Sequence, residues 1–123
     1  MGGYTPQRHC SRGYCGLFGA DGAAIATGIA LSTIMKATPL SDYERRIANL
    51  MTSHALASIA LNSGMRCCKR STYAAIESAL QYFKEVLGVE LEHIPVSRIK
   101  CEHSHRNKQC SYADCRYFAG KSI

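Results

Sequence analysis

Tryptophan is absent from this chain, and phenylalanine occurs three times in 123 residues. With no tryptophan, little phenylalanine and many alanines, the composition points to helices in close contact. Long apolar runs are missing too. The longest uncharged apolar stretch, Gly22 to Met35, is 14 residues, whereas a helix that crosses a bilayer needs about 20. It reads as a buried helix. The opening Met1-Gly2-Gly3-Tyr4-Thr5-Pro6 has no apolar segment of the secretory kind, so a soluble, cytoplasmic protein is expected. No Ser-His-Asp order, paired carboxylates, glycine-rich nucleotide loop or His-Glu-x-x-His occurs, which leaves hydrolase and kinase readings without support. No Cys-x2-Cys pair occurs either, which argues against the common structural zinc modules.

What is present in quantity is cysteine, with seven in the chain. A disulfide scaffold requires an oxidising compartment and an even count, so reduced thiols held for metal or redox chemistry are the better reading. At 46% apolar and 20% charged the composition is globular, and the length suits one domain with its own core. The formal charge of +6 raises nucleic acid as a partner. Its placement is more local: Arg8 and Arg12 flank Cys10, Arg66, Lys69 and Arg70 bracket Cys67 and Cys68, and Lys100, Arg106, Lys108 and Arg116 surround the last three cysteines. Positive charge beside thiols favours thiolates or an anionic cluster.

Residues 1–20 read as a glycine-rich loop, 21–88 as a helical core and 89–123 as a cysteine-bearing tail. Asp21 is a candidate N-cap for a helix over about 22–37, whose alanine-rich face with Gly28 lets another backbone approach; Thr38-Pro39 stops it. Ser41-Asp42-Tyr43-Glu44 has the pattern of a capping box for a second helix over about 42–62. Ile47, Leu50, Met51, His54, Ala55 and Ile59 repeat at helical spacing, with His54 read as a hydrogen-bonded core histidine rather than a ligand. Ser71 or Thr72 is expected to cap a third helix ending at Gly88, with Tyr73, Ile76, Leu80, Phe83 and Leu87 turned to the core. Val89-Glu90-Leu91-Glu92 alternates like a short extended segment. The expectation is a mostly α, small single-domain helical bundle: three long helices, a short C-terminal helix and cysteine-rich loops.

Cys67 and Cys68 lie just before a helix start, where unpaired amides and the helix dipole favour negative charge. With Arg66, Lys69 and Arg70 beside them, they are the candidate reactive thiolates, and the three cations are candidates for stabilising the thiolate or binding an acidic small molecule. Cys101, Cys110 and Cys115 fall within 15 residues on a polar segment and look like ligands. Together with Cys15, Cys67 or Cys68 they suit a [4Fe–4S] cluster. His103 and His105 would join only if the metal were zinc.

The Cys-Gly before an Ala/Gly-rich helix, Ala37-Thr38-Pro39-Leu40-Ser41, Arg66-Cys67-Cys68-Lys69-Arg70 and Asn107-x2-Cys110-x4-Cys115-x2-Phe118 together resemble an uncharacterised family of small cysteine-rich prokaryotic domains, found alone or beside methyltransferase and radical-SAM modules. The resemblance covers nearly the whole chain and matches Cys15, Cys67, Cys68, Cys101, Cys110 and Cys115 to the family's cysteine positions. Met65 stands where the family has a small residue or proline, and Arg116 where it has proline. A methyltransferase or radical-SAM enzyme is the partner this resemblance implies; it brings no activity with it.

Three functions follow as expectations. The first is a metal- or iron–sulfur-binding thiol protein in redox or sulfur chemistry. The second is a zinc-stabilised module that binds nucleic acid or a partner protein through basic residues interleaved with Tyr112, Tyr117 and Phe118. The third is a metal-free thiol or persulfide carrier using Cys67 and Cys68. The cysteine pattern argues for a site more than it names a reaction.

Overall fold

Asp21 starts the first helix as its residue type predicts: its carboxylate accepts the Ala23 N–H at 3.2 Å. The computed structural model describes residues 15, 18–62, 64–65 and 67–119. Within them lie three helices, α1 (Gly22–Ile34), α2 (Tyr43–Leu61) and α3 (Cys68–Leu87), each packed on the other two. The tail after α3 folds into three 3-10 turns, Val96–Arg98, Ser104–Arg106 and Tyr112–Asp114, which stand where a short C-terminal helix was expected. Among the described residues there is no sheet, only an isolated parallel bridge between Cys101 and Phe118. None of their helices is long and apolar enough to cross a membrane.

The core is small-residue packing. Ala24, Gly28 and Leu31 line one face of α1 and meet Met51 and Ala55 of α2 and Ala75 and Tyr82 of α3. Gly28 sets the α1–α2 distance. A Cβ there would overlap the Thr52 hydroxyl and stand 3.1 Å from the Ala48 carbonyl oxygen. Leu31 and Met51 are fully buried, each contributing about 2 kcal/mol by removal from water. α1 itself is apolar on all sides, and Ile25, Ile29 and Ile34 remain exposed. Gly88 closes α3 in the left-handed conformation at φ 67°, as expected of a C-terminal glycine.

Several local expectations do not hold. Ser41 and Glu44 form no capping box. The Ser41 hydroxyl instead accepts the Thr38 N–H at 2.9 Å, closing the turn around Pro39, and Asp42 precedes α2 without a side-chain cap. His54 is exposed rather than buried, stacked beside Tyr82 at 4.9 Å between ring centroids. Leu50 is likewise exposed, so the buried stripe of α2 narrows to Met51 and Ala55. On α3 Ile76 points to solvent.

Candidate thiol-lined site

The helix register at Cys67 decides how this site is built. α3 begins at Cys68, and its cap stands four or five residues before the expected Ser71 or Thr72. Cys67 itself is the N-cap, extended at φ −153°, ψ 102°, with its sulfur accepting the Arg70 N–H at 3.4 Å. Cysteine is outside the usual capping set, whereas Ser71 and Thr72 belong to it, so residue type pointed to the wrong cap. The earlier start places Cys68, Lys69 and Arg70 in the first helical turn, and Arg70 and Ser71 turn inward and are buried.

α1 and α3 start, and α2 finishes, at the same end of the bundle, and the tail folds across it. Between these segments lies a cleft of about 920 Å³. All six described cysteines line it: Cys15 near α1, Cys67 and Cys68 at α3, and Cys101, Cys110 and Cys115 from the tail. Three of the sulfurs accept backbone N–H groups: Cys15 from Gly22 at 3.3 Å, Cys67 from Arg70, and Cys110 from Tyr112 at 3.3 Å. N–H donors aimed at sulfur also support and tune thiolate ligands in metal and cluster sites. Among the described residues, however, no three His, Cys, Asp or Glu side chains are gathered into a group that could hold a metal ion.

The tail is fastened to α3 by polar contacts. The Cys101 N–H donates to the Tyr117 carbonyl at 2.6 Å, and the Ala119 N–H donates to the Cys101 carbonyl at 3.3 Å. Tyr117 is 1% exposed and its hydroxyl donates to Glu77 at 2.7 Å. Its ring lies 5.1 Å from that of Tyr73. Burial, then the Glu77 carboxylate, holds the Tyr117 phenol well above the usual tyrosine range, so it stays a donor. Arg116 pairs with the same carboxylate at 3.1 Å. Glu77 and Tyr73 were not among the expected site residues. Their positions on α3, seven and three residues after Arg70, were the available signal.

Lys69 and Arg70 line the cleft with the cysteines, whereas Cys10 and Arg66 lie outside the described residues. His103 lines the cleft and its Nδ1 lies 3.3 Å from the Arg106 guanidinium; His105 is not among the lining residues. Asn107 also reaches the cleft, and its side-chain oxygen accepts the Gln109 N–H at 3.0 Å, turning the chain just before Cys110.

Residues 4–118 match the family described as "Family of unknown function (DUF5714)". No curated protein matches the chain significantly. No solved structure does so either.

Proposed function

The chain belongs to the family of unknown function DUF5714, and from its cleft we propose that it is a metal- or iron–sulfur-binding thiol protein acting in redox or sulfur chemistry. One observation supports this above all: six cysteines from both ends and the middle of the chain line one cleft. Six thiols around one cleft are a soft donor set of the kind that selects iron–sulfur clusters and zinc. Cys101, Cys110 and Cys115 would supply three ligands and Cys15, Cys67 or Cys68 a fourth. A bound cluster would supply electron transfer, or an open iron for substrate sulfur. The donors stand on single turns and helix ends rather than inside rigid elements, so binding would be coupled to closure of the tail around the site. A methyltransferase or radical-SAM enzyme is the partner class this reading takes from the sequence resemblance.

Anaerobic purification tests the cluster reading directly. A brown protein with broad absorbance near about 400 nm and matching iron and sulfide is expected. Colourless protein with stoichiometric zinc would overturn it in favour of the zinc-stabilised module, a reading that His103 beside the cysteines supports. That module would bind RNA or DNA with steep salt dependence if nucleic acid were its partner.

A further inference from the structure

Among the described residues, the buried cation in the cleft has no counter-charge. Arg70 is 7% exposed, and its guanidinium donates to the Met65 carbonyl and, at 3.4 Å, to the Ser111 hydroxyl, both of them neutral groups. No carboxylate pairs with it among the described residues; their ion pairs use Arg46, Lys84 and Arg116. Its side chain donates to none of the described cysteine sulfurs either. A guanidinium has five N–H donors, and a buried charge without an opposite charge is costly.

A second feature faces the same place. Cys67 satisfies the Arg70 amide through its sulfur and the Ser71 amide through its carbonyl. The amides of Cys68 and Lys69 have no acceptor among the described residues, at the positive end of a 20-residue helix. Gly64 makes room for the guanidinium. A Cβ at that position would overlap the Ser111 hydroxyl and come within 2.6 Å of Arg70 Nη1.

We propose that this end of the cleft is an anion subsite, and that it receives the acid group of a small organic molecule whose apolar part lies on the half-buried Tyr73 and Phe118. The space favours an organic acid over a bare inorganic anion. A cleft of about 920 Å³ lies within the range of small-molecule sites. A carboxylate and a phosphate monoester share the oxygen geometry a guanidinium matches with paired hydrogen bonds. The subsite shares the cleft with the metal reading but does not need the metal.

Isothermal titration of the full chain, purified anaerobically and kept reduced, tests the subsite with three probes: benzoate, phenyl phosphate and the neutral benzamide. One of the two anions is expected to bind one to one, and benzamide at least about tenfold more weakly. Which anion binds tighter separates the carboxylate from the phosphate class. Arg70→Gln should weaken the anion at least about tenfold and leave benzamide unchanged. Equal binding of benzoate, phenyl phosphate and benzamide, no binding of either anion at millimolar concentration, or an unaltered anion affinity in folded Arg70→Gln would each overturn the proposal. If Arg70→Gln does not fold, the comparison of probes on the unaltered chain decides. Metal analysis of the same sample separates the two readings. Metal-free protein that still selects the anions would keep the subsite and remove the metal, and metal-loaded protein without selection would do the reverse.

Discussion

Along α3, Ala75, Ala79, Tyr82 and Phe83 face the other helices, whereas Arg70, Tyr73 and Glu77 face the tail. The first stripe is held by apolar packing of small side chains, and every contact in it is short-ranged and non-directional. The second is held by directional groups: a guanidinium on a hydroxyl, a ring pair, and a phenol on a carboxylate. One helix thus carries a core on one side and a site on the other. The difference lies in what each side tolerates: the core responds to volume, the tail to the loss of single hydrogen bonds.

Volume should produce the largest effect. Gly28→Leu forces α1 off α2 at Thr52 and Ala48 and should cost about 3 kcal/mol, a clash that outweighs the better helix propensity of leucine. Urea unfolding measures it, and an unchanged midpoint would mean that α1 and α2 do not touch as described. On the other stripe, Tyr117→Phe keeps the ring on Tyr73 and removes only the bond to Glu77. A hydrogen bond to a charged acceptor is worth about 2 kcal/mol. The loss should appear first as faster hydrogen exchange at the Cys101 amide, with the α1 and α2 amides little altered. Uniform loss of protection in all helices would show that tail and core unfold as one unit, erasing the comparison.

A smaller change tests the corner where the stripes begin. Cys67→Ala removes the sulfur that accepts the Arg70 N–H and should cost about 1 kcal/mol, as loss of an N-cap does. Cys68→Ala, at the first helical position, makes no such bond and should cost less in thermal unfolding of the same preparation. If the two variants are equally stable, Cys67 is no cap and the register of α3 is earlier or later than described.

How far the sequence reveals this arrangement differs between the two stripes. Gly28 as a point of close approach, Asp21 as a cap and Gly88 as a stop are legible because each rests on backbone physics that one residue type satisfies. The three helices are legible from their apolar patterning and stop signals, although the caps expected for α2 and α3 are not the ones used. The α3 face is legible in part: Phe83 and Leu87 pack on the core as expected, whereas Ile76 is exposed and Tyr73 faces the tail. Periodicity weighs hydrophobicity alone, and here two buried faces compete, one of them carrying Arg70 and Glu77. The spacing of His54 fits the α2 stripe, yet its side chain lies exposed beside the Tyr82 ring. The cysteine grouping could be suspected from residue type and charge, but its assembly at one end of the bundle depends on the tail's route. That route is set by the Tyr117–Glu77 and Cys101–Tyr117 bonds, which leave no periodic trace.

The last prediction concerns Arg70, where the comparison yields a sign rather than a size. Met51 and Arg70 are both buried, so a reading by burial alone expects truncation of either to be equally damaging. Met51 fills core volume, and Met51→Ala should cost about 3 kcal/mol. Arg70 buries a charge that no carboxylate balances among the described residues, and an apolar side chain of similar length removes the cost of holding that charge out of water. Arg70→Met should therefore change stability by less than about 1 kcal/mol, or raise it, since the Met65 carbonyl and the Ser111 hydroxyl it releases both border the cleft and can take water. Urea unfolding of the two variants side by side gives the answer. A loss of about 3 kcal/mol in Arg70→Met, matching Met51→Ala, would make Arg70 a structural strut through its bonds to Met65 and Ser111. A neutral or positive change would mean that its position in the cysteine cleft is held against the demands of folding, which is the signature of a residue placed for binding.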